Sequence, residues 1–132
     1  MQIIDIGNNP LEVWRPGVET RMRVSARNGT VQLCIFEQWT APGTGAPTHW
    51  HPVEEVLTVL AGQADVWMDD EHVTVLAHQS VIVPAARKHG FTNSGTVTLH
   101  MHAVLALPHF ERAIEGAGEP TLLRWQAPPA PR

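Results

Sequence analysis

Two histidines one residue apart, His49 and His51, precede a glutamate pair, Glu54-Glu55, and a further histidine, His89, lies well downstream. In an extended chain alternate side chains share a face, so His49 and His51 can point at one ion. Glu55 opens the apolar run Glu55–Leu60; if that run is a strand beside the first, its carboxylate can add an oxygen ligand. A fourth ligand has to come from elsewhere, and His89, between Pro84 and Asn93, is the candidate. Three imidazoles and a carboxylate suit a divalent transition metal, whether Fe, Mn, Ni, Zn, Co or Cu, and leave positions for water or a substrate.

Such a cluster needs strands to hold it. Short apolar stretches alternate with Gly/Pro punctuation: Val31–Trp39, Glu55–Leu60, Ala64–Met68, Val73–Leu76, Val81–Val83 and Val97–Leu107 all read as strands. Ala41–Pro47 reads as a rigid loop and Asp69–His72 as a hairpin turn. Many short strands at this spacing predict an all-β sandwich or barrel. The expected organisation is one domain over 1–132: an irregular or edge-strand arm over 1–19, a barrel over 20–107, and a short helix with a mobile tail over 108–132. The helix is placed on His109–Glu115, after Pro108 and before Gly116. Trp39 and Trp67 are expected in the core with Phe36, while Trp14 and Trp50 are left open.

Composition narrows the function. Hydrophobic residues make up 43% of the chain, which excludes disorder, and no apolar run reaches the ~20 residues of a membrane helix. The formal net charge of -4 argues against a nucleic-acid partner, which requires a basic face. Arg21, Arg23 and Arg27 are read as decoration of a strand. A single cysteine, Cys34, permits no internal disulfide, and with no secretory signature at the N-terminus a cytoplasmic setting fits best.

The segment Gly43–Gly62 reads Gly-x5-His-x-His-x3-Glu-x6-Gly, and His78–Asn93 carries Pro84, His89 and Asn93 in the pattern Gly-x5-Pro-x-Gly-x2-His-x3-Asn, with His78 and Ala86 at its two glycine positions. These segments resemble the two motifs of the cupins, in particular small single-domain, RmlC-like cupins of bacterial type. The resemblance implies a double-stranded β-helix, a jelly-roll barrel, and a metal on His49, His51, Glu55 and His89. It selects Glu55 over Glu54, and it implies a catalytic role for Glu55 as a base. It further implies a homodimer, to which the arm 1–19 contributes, and an enzyme acting on a small, oxygen-chelating organic molecule. Dioxygenation is favoured; a non-oxidative isomerase, lyase or cyclase and a metal-containing binding or sensing module are the alternatives.

A small-molecule ligand would sit inside the barrel above the metal. The candidate lining is Phe36 and Gln38 (or, on the opposite face, Ile35 and Glu37), with Leu57, Val59, Met68 and Phe91. His100 and His102 share one face of the last long strand and either line the pocket or point outward, the more core-like Leu99, Met101 and Ala103 favouring outward. No Arg or Lys is expected in the pocket, which disfavours a sugar phosphate. Arg87 and Lys88, beside His89, are read as solvated turn residues rather than an anion lure.

Overall fold

The computed structural model describes residues 1–116 and 121–130. Its strands are β1 (Leu11–Arg15), β2 (Val18–Val24), β3 (Cys34–Thr40), β4 (Gly45–Trp50), β5 (Glu55–Ala61), β6 (Gln63–Met68), β7 (Glu71–Leu76), β8 (Ser80–Val83), β9 (His89–Asn93), β10 (Leu99–Leu105), β11 (Phe110–Ile114) and β12 (Leu122–Arg124). They form two six-stranded sheets, ordered β1-β2-β3-β10-β5-β8 and β12-β11-β4-β9-β6-β7, with every ladder antiparallel. This is an all-β double-sheet jelly roll.

Period-2 alternation builds the core. In β3, Cys34, Phe36 and Gln38 face in; in β10, Leu99, Met101, Ala103 and Leu105 do; in β5, Glu55, Leu57 and Val59 do. A helix over 109–115 does not form. Phe110–Ile114 is extended, pairing with β4 through Ala113 and Ile114 and with β12 through Phe110, Glu111 and Arg112. Tertiary pairing overrides the helical leaning of Glu, Arg and Ala. The region placed in a helix and tail thus holds two strands. Residues 127–130 are exposed without regular structure, and 131–132 lie outside the described residues.

The tryptophans also correct the expectation. Trp39 and Trp67 occupy outward positions and are only half-buried; Trp39 stacks on His100, with ring centroids 4.8 Å apart. Trp125 and Trp14 fill the interior instead, meeting Phe36 and Phe110 in one aromatic cluster. The arm 1–19 supplies β1 and the start of β2, so it packs on this chain's own sheet as an edge strand.

Backbone conformation explains the motif glycines. Gly43 and Gly62 have φ of 78° and 82°, in the left-handed region that suits glycine. His78 and Ala86, at the glycine positions of the second motif, hold the same region at 72° and 64°. The turns therefore keep their shape although the residue that favours them is gone.

Candidate metal centre

His49 comes from the end of β4, His51 just beyond it, Glu55 from the start of β5 and His89 from the start of β9. The β4/β9 ladder sets His49 opposite His89. Gly45 permits that close approach, since a Cβ there would collide with the Phe91 carbonyl. All four side chains are buried, and one potential ligand atom from each lies within 4.8 Å of the others.

A carbonyl holds every imidazole from behind. His49 Nδ1 is 2.7 Å from the Pro47 carbonyl, His51 Nδ1 is 2.7 Å from that of Glu111, and His89 Nδ1 is 2.8 Å from that of Arg87. Since a carbonyl only accepts, each Nδ1 carries the proton and each Nε2 turns a lone pair inward. Those inward atoms meet a carboxylate: Glu55 Oε1 is 3.1 Å from His89 Nε2, and Oε2 is 3.3 Å from His51 Nε2. His51 Nε2 is buried without a hydrogen-bond partner. With neutral rings this buried site sets acceptors against acceptors, which calls for a metal ion or a shared proton. The donor set, its tautomers and the orphaned nitrogen all fit a first-row divalent ion.

Electrostatics agree with that geometry. Burial, followed by the His89 and His51 charges, pushes His49 down to about 3, so its imidazole is neutral and ready to ligate. Burial alone would raise Glu55, but His51 and His89 outweigh it and hold the carboxyl well below the usual range. Burial would likewise lower His51, yet the Glu55 charge and contact leave it raised. Without metal, a proton between His51 and Glu55 supplies the missing positive charge.

Above the cluster lies a cavity that opens at the surface. Phe36, Gln38, Leu57 and Phe91 line it; Ile35 and Glu37 face the other way. Val59 does not line it: it lies two residues beyond Leu57 on β5, sealed in the core. Met68 does not either, because the second sheet's share of the wall comes from β11, β4 and Phe91, and β6 lies farther along that sheet. His100 and His102 project from the outer face of the first sheet, where His100 Nε2 is 2.9 Å from Glu37 Oε1. Arg87 pairs with Asp69, and Lys88 Nζ lies 2.8 Å from Glu115 Oε1, so both serve surface contacts.

Expecting no basic residue in the cavity was wrong. Arg15 and Arg112 both line it, with Trp14, Phe110 and Ile114. Period 2 in Phe110-x-Arg112-x-Ile114 would have revealed Arg112 had that segment been read as a strand. Arg15 left no sequence signal.

A two-sheet jelly roll with a buried His/His/Glu/His cluster beneath a cavity defines a class of metal-site barrel. Residues 37–105, more than half of the chain, match the cupin domain model, and the chain belongs to the cupin family. It is 28% identical over 105 residues to auxin-binding protein 1 of Arabidopsis thaliana (71% of this chain, 52% of that protein). It is 32% identical over 77 residues to the polyketide synthase CurC of Streptomyces cyaneus (58% and 47%). The chain thus spans about half the length of these curated relatives. Among solved structures, the polyketide cyclase RemF from Streptomyces resistomycificus superposes with a TM-score of 0.68 at 22% identity, covering 80% of this chain and 78% of that one. Among the described residues no helix is long and apolar enough to cross a membrane.

Proposed function

We propose that this cupin is a metal-dependent enzyme acting on a small organic molecule that enters the cavity and reaches the cluster through an oxygen atom. The observation that carries it is the convergence of His49, His51, Glu55 and His89, three of which (His49, His51 and Glu55) line an open cavity. His49, His51, Glu55 and His89 would hold one divalent transition metal. When bound, that ion supplies Lewis acidity and a template for the substrate's oxygen. The carbonyls of Pro47, Glu111 and Arg87 keep the imidazoles oriented. Glu55 is assigned as a ligand first; as a base it accepts a proton only once a contact to His51 or His89 is released.

Two chemistries are open to this centre. Oxygenation is the expectation drawn from the motif pattern. A non-oxidative isomerase, lyase or cyclase reaction is the second reading, supported by the 32% identity over 77 residues to the polyketide synthase CurC. Oxygen uptake by the metal-loaded chain, measured with candidate substrates beside product mass, separates them: product formed in anaerobic buffer removes the oxygenase reading, and turnover that stops without O2 removes the other. A homodimer is part of the same proposal, supported by the half-buried outer row Val56, Leu60 and Val104. A monomeric mass by light scattering at micromolar concentration would remove it.

A further inference from the structure

Two arginines, Arg15 and Arg112, line the cavity alongside the cluster. Arg15 reaches it through a fault in β1. The β1/β2 register shifts between Val13 and Arg15, and this bulge lets the adjacent residues Trp14 and Arg15 both line the cavity, which a regular strand forbids. Arg15 Nε donates to the Gly45 carbonyl at 2.6 Å, which fixes the plane of the fork and leaves its η nitrogens to other partners. Among the described residues no carboxylate pairs with Arg15. Arg112 follows Glu111, whose carbonyl holds His51, so it stands directly beside the cluster. Burial, then Arg112 and Arg124, lower the Arg15 pKa, so its charge is costly in this mostly apolar cavity. An anionic ligand would offset that cost at Arg15, and a planar fork suits a carboxylate.

We propose that Arg15 and Arg112 form an anion subsite for the carboxylate of a small substrate whose ring-bearing, apolar body lies against Trp14, Phe36 and Phe110. The substrate is then held at two points, its carboxylate on the arginines and another oxygen at the cluster; only this second point rests on the metal reading. The wall is wrong for a sugar or nucleotide. Beyond the arginines and the cluster, Gln38 is its one amide or hydroxyl side chain among the described residues, and Gln38 Nε2 already donates to Thr20 Oγ1 at 3.0 Å.

The test is calorimetric titration of the full chain, loaded with Zn(II), with 3-phenylpropionate and with the uncharged 3-phenylpropionamide. The acid should bind at least about tenfold tighter than the amide. Arg15→Gln and Arg112→Gln should each weaken acid binding about tenfold or more and leave the amide unchanged, as expected for loss of a charge-assisted hydrogen bond. Arg15→Lys should recover part of the loss. His89→Ala, lacking zinc, should keep the preference for acid over amide, which separates this subsite from the metal reading. Melting temperature of each variant, together with zinc content of the arginine variants, confirms that it is folded. Equal affinity for the two probes, no binding of the acid at millimolar concentration, both Gln variants binding the acid like the parent, or a preference that disappears with zinc in His89→Ala would each overturn the proposal.

Discussion

This chain uses His-x-His beside a glutamate twice, and the two copies have different fates. On the inner face, His49 and His51 converge with Glu55, and on the outer face of the first sheet His100 contacts Glu37 while His102 lies opposite Glu37 in the ladder. The inner set is buried, each imidazole is locked by a carbonyl, and His89 adds a third ring from an adjacent strand. The outer set is half-exposed. Glu37 is already shared between His100 and Arg23, the latter at 3.3 Å, and His100 lies flat on Trp39. Residue type and spacing are therefore not enough for a metal centre. Burial that removes competing water, fixed tautomers and a third ligand across the ladder make the difference.

The largest effect should come from removing an inner ligand. His49→Ala or His89→Ala should lower the stability of the metal-bound form by ~2.7 kcal/mol if metal stands at about 100 Kd, measured as a drop in melting temperature that EDTA abolishes. His100→Ala and His102→Ala should stay within about 1 kcal/mol of the parent with or without EDTA. An outer variant behaving like an inner one would break the comparison.

Acid should separate the two faces next. His49 is held near 3, below an unfolded value of about 6.5, so the unfolded chain binds more protons and stability falls as pH drops from about 6.5 toward 3. Between about pH 6 and 5, above the Glu55 titration of the unfolded chain, His49→Gln should flatten the decline of the metal-free protein by up to one proton, about 1.4 kcal/mol per pH unit. His102 is also lowered, first by burial and then by Arg23, but it is partly exposed, so His102→Gln should flatten the curve far less. Denaturant melts across that pH range read both slopes.

Much of the inner site was legible because ligand chemistry is written in residue types at fixed spacing, and the strands carrying it are strongly apolar. What was not legible depended on register. Nothing in the local pattern says which face of β3 or β6 turns inward, so residue type alone puts Trp39 and Trp67 in the core although they face out. Phe110–Ile114 has the composition of a helix, and only pairing with β4 and β12 extends it. Arg15 depends on a bulge, and a one-residue slip is invisible without the partner strand. The departures at His78 and Ala86 proved local: the left-handed turns persist with the wrong residue in them.

That last observation yields the smallest effect. Ala86→Gly, beneath the inner site where the Ala86 N–H donates to the His51 carbonyl at 2.8 Å, should stabilise by about 1 kcal/mol through relief of its positive φ. His78→Gly, away from both histidine clusters, should do the same. Melting temperatures check both, with a rise of a few degrees expected.

The most direct test of the account is elemental analysis of the chain purified without added metal, then incubated with divalent transition metals and desalted. The account predicts close to one equivalent in the parent and in the His100→Ala, His102→Ala double variant, and almost none in His89→Ala. A parent that retains no metal, or a His89→Ala chain that retains as much as the parent, would contradict it.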